Sequence, residues 1–278
     1  MKIAIQGILG SFHHLVANQY FGKEMDYVSC DFFHEMPVLL TEDKVDAVVM
    51  AIENTLAGSI LPNYALINEY DLKIQGEVHI PIHHHLLAVK GQKFEDIKEV
   101  RSHPMAILQC KQFFRKHSNI RLVEETDTAL VAKQISEEKI TGVAAIASKI
   151  AAKIYGLEVI ESGIQTRKEN YTRFFILKKN NGSLILDKNL NKASIRFVTH
   201  HKTGSLAEVL NVFADFDMNL SKIQSLPIID QPWNYAFFAD IIFKDYNCYQ
   251  EAIAAVEKKV SEIKILGEYQ KSKRNYDT

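Results

Sequence analysis

Cysteine is scarce in this sequence: three residues, Cys30, Cys110 and Cys248, odd in number, widely spaced and without a C-x-x-C pair. That pattern excludes a disulfide framework and a zinc ribbon, and it fits a reducing cytoplasm. An excess of either charge is also missing. Thirty-three Lys and Arg against 34 Asp and Glu leave a formal net charge of −1, with no basic block to track a phosphate backbone or an anionic lipid surface. Nucleic acid and membrane are therefore not expected as partners. No apolar run approaches membrane-spanning length, and residues 2–6 open the chain with a strand-like pattern in place of the basic-then-apolar signature of an export signal. Histidines cluster at His13-His14, His83-His84-His85 and His200-His201, yet neighbours on a strand face opposite ways and no H-E-x-x-H spacing occurs, so no metal site is expected. Gly7 and Gly10 give G-x-x-G, short of the G-x-G-x-x-G that cradles a dinucleotide.

What is present is enough apolar material, 47% of 278 residues, for one sizeable core and a smaller one. A strand at 2–6 ends at Gly7, and Phe12, Leu15, Val16 and Tyr20 then recur on one side of a helix at 11–21. The same grammar returns with a strand at 45–52 and a helix within 58–70, where Pro62 sits near the start. Residues 72–89 are mostly extended. A helix at 104–114, a strand at 120–123, a helix at 127–135, a strand at 142–146 and a helix ending at Tyr155 follow. Alternating strands and helices imply a mainly parallel sheet covered on both faces. The polar stretches at 178–183 and 187–192 put a domain boundary between Lys179 and Ala193. Beyond it, strand 194–199, helix 205–216, strands 220–229 and 235–243, helix 250–260 and strand 262–266 spell the βαββαβ ferredoxin-like order. Residues 271–278 read as a frayed tail.

Ligands of open α/β sheets sit at the carboxyl ends of strands, where this chain places Gly7 to Ser11, Glu53-Asn54-Thr55, Ser102-His103-Pro104 and Thr126-Asp127-Thr128. Each segment precedes a helix, and converging helix N-termini make an anion site without many lysines. Ser11, Thr55, Ser102 and Asp127 are equally readable as plain helix caps. Asn170-Tyr171-Thr172-Arg173 differs, being a polar quartet at the start of an apolar strand. Alternation puts Thr172 and Phe174 on one side, Arg173 and Phe175 on the other. Arg173 reads equally as a solvated strand residue or a ligand contact.

At these positions the chain resembles the prephenate dehydratase family. The motifs are Gly7-x-x-Gly10-Ser11-Phe12, Ile52-Glu53-Asn54-Thr55-x-x-Gly58, Ser102-His103-Pro104 with Ala106 and Gln109-Cys110, and Asp127-Thr128-Ala129. Ala144 to Ser148, Tyr155-Gly156-Leu157 and Asn170-x-Thr172-Arg173-Phe174 complete the series in the family's order. The second unit resembles an ACT domain through Gly204-Ser205-Leu206, Asn219 to Ile223, Ser225, Pro227 and Pro232-Trp233-x-Tyr235-x-Phe237-Phe238. The chain departs from the family pattern at His13, Met105, Gln224 and Leu226.

The resemblance implies an α/β fold with a two-lobed, type-II periplasmic-binding-like catalytic domain at 1–180 and a ferredoxin-like ACT regulatory domain at 193–270. It implies decarboxylating elimination of water from prephenate to give phenylpyruvate, without a metal or organic cofactor. Thr172, Arg173 and Asn170 are the expected catalytic residues, with Thr172 donating a hydrogen bond to the leaving hydroxyl and Arg173 gripping a carboxylate. Gly10, Ser11, Phe12, Glu53, Asn54, Thr55, Ser102, His103 and Phe174 are expected to bind substrate. Gly204, Ser205, Leu206, Asn219 and Leu220 are expected to bind phenylalanine as an allosteric inhibitor in a homodimer or homotetramer. No helical chorismate mutase segment precedes Lys2, which matches the monofunctional form. Arogenate dehydratase and a non-enzymatic solute-binding protein of the same fold are the alternative readings; the latter normally carries an export signal.

Overall fold

The structure is a computed structural model that describes residues 1–181, 189–228, 231 and 233–272. Parts of the expected join (182–188), the strand end at Ile229, Pro232 and the tail from 273 lie outside the described residues. Packing divides the chain into two compact units. One comprises Met1–Asn63 and Val78–Phe174, the other Tyr64–Glu77 and everything from Phe175 onward.

In chain order the elements are β1 (Lys2–Gln6), α1 (Phe12–Phe21), β2 (Asp26–Cys30), α2 (Glu35–Thr41), β3 (Ala47–Asn54), β4 (Gly58–Ser59), α3 (Leu61–Glu69), β5 (Leu72–Pro81) and β6 (His85–Ala88). There follow β7 (Glu99–Ser102), α4 (Pro104–Gln109), α5 (Lys111–Arg115), β8 (Arg121–Glu124), α6 (Thr128–Glu137), β9 (Val143–Ala147), α7 (Lys149–Tyr155), β10 (Glu158–Glu161) and β11 (Tyr171–Lys179). The last are β12 (Lys192–Thr199), α8 (Ser205–Asp215), β13 (Asn219–Pro227), β14 (Tyr235–Ile242), α9 (Tyr246–Glu257) and β15 (Val260–Tyr269).

The first unit has two lobes, the type-II periplasmic-binding-like arrangement. In one, β1 is parallel to both of its sheet neighbours, β2 and β3. Ile3, Ala4 and Ile5 are completely buried, as the apolar run of a strand covered on both faces requires. The other lobe's sheet runs β10-β6-β9-β7-β8; β7 is parallel to β8 and β9, whereas β6 is antiparallel to β9 and β10. This sheet is thus more mixed than simple strand–helix alternation predicts. The helix expected over 104–114 is two short ones, broken at Cys110, whose φ of −99° and ψ of 9° lie outside the helical region. The short strands β2, β7 and β10 were not marked by the apolar pattern, because each is only four or five residues long and polar or charged residues leave it no apolar run longer than two.

In the second unit β12, α8, β13, β14, α9 and β15 form the βαββαβ fold, with the antiparallel sheet order β13-β14-β12-β15. One face of β12 sends Ala193, Ile195 and Phe197 into a core with Val209, Phe213 and Ile241. Its alternate residues, Lys192, Ser194 and Arg196, are also buried. Each has a polar partner: Lys192 Nζ lies 3.0 and 2.8 Å from the two oxygens of Glu77, Ser194 Oγ donates to Asp240, and Arg196 pairs with Glu262. That second face is covered by the 64–77 segment, where Tyr64 meets Phe238 edge-on at 5.4 Å between ring centres. Gly267 permits the closest approach: a Cβ there would sit 2.1 Å from the Ile74 carbonyl oxygen.

Candidate active site

Strand ends of the two lobes converge on a cavity of about 360 Å³ within the first unit. The turn after β1 contributes Ser11 and Phe12, the end of β3 contributes Asn54, and β11 contributes Thr172 and Phe174. From the other lobe come His103 at the N-cap of α4, Met105 and Gln109 on α4, and Asp127 at the N-cap of α6. Of the expected substrate residues, Ser11, Phe12, Asn54, His103, Thr172 and Phe174 line the cavity.

Gly10, Glu53, Thr55, Ser102, Asn170 and Arg173 do not line it. Gly10 backs onto Ala151, and the buried Ser102 hydroxyl donates to the Ile146 carbonyl at 2.7 Å. Thr55 Oγ1 accepts from the Tyr171 N–H at 3.0 Å. Arg173, expected to grip a carboxylate, occupies the other side of β11 from Thr172, as strand alternation demands. It is 5% exposed, and its Nη1 stands 3.8 Å from Glu53 Oε2.

Behind the lining runs a hydrogen-bond chain whose direction can be deduced. The Leu56 and Ala57 N–H groups, which can only donate, both bond Asn54 Oδ1 at 2.9 Å. Asn54 Nδ2 is therefore the donor to Thr172 Oγ1 at 2.9 Å and to Asn170 Oδ1 at 2.8 Å. Asn170, fully buried, then donates through Nδ2 to Gln109 Oε1 at 2.9 Å. Gln109 Oε1 is also 2.8 Å from His84 Nε2, so that nitrogen carries the proton. The chain joins Asn54 of one lobe to Gln109 of the other, and it leaves the Thr172 hydroxyl hydrogen free to point elsewhere.

Three imidazoles and one carboxylate set the electrostatics. Burial pushes His13 down to about 3 and His84 to about 4, so both are neutral near pH 7. The Met105 N–H donates to His103 Nδ1 at 3.1 Å; the neutral ring thus carries its proton on Nε2, and burial holds its pKa below the usual value. Asp127 Oδ1 caps α6 by accepting from Ala129 and Leu130, yet burial outweighs those bonds and raises its pKa. Gly7 makes room for the other oxygen: at φ +80° a Cβ there would lie 2.6 Å from Asp127 Oδ2. Among the described residues, no lysine or arginine lines the cavity.

The model of the family described as "Prephenate dehydratase" matches residues 3–182, which include all of these cavity residues. The chain belongs to the prephenate dehydratase family. It is accordingly an enzyme, a carbon–oxygen lyase. The bifunctional chorismate mutase/prephenate dehydratase of Aquifex aeolicus (strain VF5) is 31% identical over 274 residues, 98% of this chain and 74% of that protein. Arogenate dehydratase/prephenate dehydratase 2, chloroplastic, of Arabidopsis thaliana is 34% identical over 280 residues, 97% of this chain and 72% of that one. Among solved structures, the prephenate dehydratase from Staphylococcus aureus subsp. aureus Mu50 has a TM-score of 0.84 at 27% identity, covering 97% of this chain and 100% of the other.

For a member of this family, sequence reasoning missed Gln6, Phe33 and His84 as cavity residues. His84 was visible only as the centre of a triplet tested for metal binding, while nothing local distinguishes Gln6 or Phe33. In the ferredoxin-like unit, Gly204, Ser205 and Leu206 line a second cavity of about 480 Å³ with Trp233, Tyr235 and Phe237. Asn219 and Leu220 do not line it: they begin β13 opposite Ile242 and Ile241, and Leu220 packs on the core.

Proposed function

We propose that the cavity converts prephenate into phenylpyruvate with Thr172 as hydrogen-bond donor to the departing hydroxyl. The C–C bond to the ring carboxylate breaks, its electron pair enters the ring, and the C–O bond breaks with its pair on oxygen. Carbon dioxide leaves directly, and the oxygen takes one proton to leave as water. The observation that carries the reading is the direction of the Asn54–Thr172 bond, which frees the Thr172 hydrogen for the substrate. An alkyl hydroxyl is a poor acid, so its contribution is a preorganised hydrogen bond that strengthens as charge develops on the leaving oxygen. A lining without lysine or arginine suits the other half of the reaction, since a cation beside the departing carboxylate would stabilise its ground state. The first-turn amides of α1, beginning at Phe12, are positioned by the Ser11 cap and supply donors for the retained carboxylate.

Residues 1–180 form the catalytic domain in this reading, and residues 193–270 an ACT regulatory domain that binds phenylalanine in a homodimer or homotetramer. The Gly204 turn and the rings of Tyr235 and Phe237 support a small amino-acid ligand. Three free cysteines, two of them buried, fit a cytoplasmic enzyme. Arogenate, with an amine in place of the keto group, is the competing substrate. A coupled absorbance assay on purified protein, run with prephenate and with arogenate, tests the assignment. Phenylpyruvate formation from prephenate is the expected result, and a preference for arogenate would reassign the substrate.

A further inference from the structure

Beside the catalytic cavity lies a second pocket of about 340 Å³ that shares Met105 and Gln109 with it. Its remaining lining is unlike the cavity's. Lys111 and Arg115, one turn apart on α5, face it together with Arg167. All three are exposed, and none has an ion-pair partner among the described residues. Like charges at i and i+4 repel and destabilise a helix unless something neutralises them.

Arg167 is held in place by bonds of its own segment. The Thr166 N–H donates to the Gln109 carbonyl at 2.8 Å, and the Gln112 N–H donates to Thr166 Oγ1 at 3.3 Å. These tie residue 166 across the α4–α5 junction, bringing the third cation to the two on α5. The opposite end of α4 has the opposite sign: the carboxylates of Asp127 and Glu124 act on His103 there. A chain with a net charge of −1 thus concentrates unpaired positive charge at one margin of a cavity that itself lacks any.

We propose that this pocket is an anion-capture subsite that draws a small dicarboxylate to the cavity and holds one carboxylate at its margin before the substrate passes Met105 and Gln109. The proposal rests on the substrate assignment above, since prephenate carries two carboxylates. It separates recognition from chemistry. Cations outside the cavity attract the dianion, while the departing carboxylate reacts in surroundings that do not stabilise it. Electrostatic capture of this kind raises association rates by about 10- to 1,000-fold and fades with salt.

The test has two readouts on the full chain. The first is kcat and kcat/KM for prephenate at ionic strengths from about 0.01 to 0.3 M, spanning Debye lengths of roughly 30 to 5 Å. Wild type should lose kcat/KM as salt rises. Arg115→Glu/Arg167→Glu should lower kcat/KM at low salt on the order of 10-fold or more, reverse the salt dependence and keep kcat at saturation within about twofold. Arg115→Lys/Arg167→Lys should stay close to wild type. An unaltered salt slope in the charge-reversed variant overturns the proposal. The second readout needs no turnover: the Met105 methyl resonance is followed during titration with malonate. A saturable shift in wild type that disappears on charge reversal supports the subsite, and its absence from wild type overturns it. A malonate shift in protein that does not turn over prephenate would refute the substrate and leave the anion subsite standing.

Discussion

Asn54 Nδ2 lies 2.9 Å from Thr172 Oγ1, and two backbone amides on the far side of Asn54 decide which of the pair donates. The Thr172 hydroxyl therefore accepts from Asn54 and keeps its own hydrogen. Replacing Asn54 by Asp inverts this arrangement, because a carboxylate can only accept and would turn the hydroxyl hydrogen away from the cavity. Asn54→Asp should lower kcat by roughly 10² to 10³, the range for losing one donor aimed at developing negative charge, with a smaller change in KM. Thr172→Ala should fall at least as far, on the order of 10², and Thr172→Ser should recover part of the rate. Steady-state kinetics of the three variants checks the direction of the bond; an Asn54→Asp enzyme with normal kcat would refute it.

We propose Arg173 as a support rather than the expected substrate clamp. It is buried beside Glu53 on the face of β11 away from the cavity. Arg173→Ala should cost stability first, on the order of 2 kcal/mol, because the side chain loses both packing and charge-assisted contact. Arg173→Lys should restore part of it, limited by loss of the planar fork. Denaturation midpoints together with KM separate the two roles: an unchanged midpoint with a raised KM would return Arg173 to the substrate.

The contrast between Thr172 and Arg173 also marks what could be read from the sequence. Alternation along 170–175 put the two residues on opposite faces, but the side facing the cavity depends on β3, a partner distant in sequence. The ferredoxin-like order was legible because β12 alternates polar with apolar residues and α8 and α9 each turn an apolar stripe to the core. His84 was not, since its role depends on Gln109, 25 residues further along, and on the amides that orient Asn54. Asn219 and Leu220 fit the ACT pattern, yet strand pairing carries them away from the Gly204 cavity.

Acid should destabilise the fold in a defined window. His13 and His84 have folded pKa values of about 3 and about 4, against 6.5 for an unperturbed imidazole. Depressed values mean that the unfolded chain takes up protons first as pH falls. Their contribution is complete above pH 6.5 and is lost progressively toward pH 4 and below. His13→Gln and His84→Gln keep an amide where each ring bonds the Ala51 N–H or Gln109 Oε1. Each variant should flatten the slope of unfolding free energy against pH by about one proton within this window. Urea titrations at a series of pH values measure it, and slopes matching wild type would mean that the buried rings are already charged.

Glu77 and Lys192 form an ion pair with side chains 0% and 2% exposed. Lys192→Met alone leaves a buried carboxylate supported by the Ser272 N–H at 3.2 Å and should destabilise by about 3–5 kcal/mol. Glu77→Leu combined with Lys192→Met removes both charges and should recover most of the loss. A double-mutant cycle by chemical denaturation reports the coupling; additive losses would show that the pair contributes no more than its separate side chains.

Phenylalanine should bind at the Gly204 cavity, where Trp233 supplies a spectroscopic handle. It is the single tryptophan of the chain, 81% exposed, and it lines the same cavity as Ser205 and Leu206. Ser205 Oγ stands 2.6 Å from both the His200 and Lys202 carbonyl oxygens and shares its one hydrogen between them, which braces the turn before α8. The Lys202 and Ser205 N–H groups already donate to the His200 and Lys202 carbonyls, so a carboxylate would meet the next amides at the start of α8, with Tyr235 and Phe237 beside the ligand's ring. Gln224 and Leu226 stand where the family pattern has a charged pair, and Gln224 Nε2 bonds the Ser225 carbonyl at 3.0 Å. Losing an acid and a base together strands no charge, so binding should survive while its coupling to activity weakens. Calorimetry and Trp233 emission during phenylalanine titration, run beside the prephenate assay, separate the possibilities. No heat, no spectral change and no inhibition at millimolar ligand would remove the site, whereas saturable binding without inhibition would locate the lost coupling in β13.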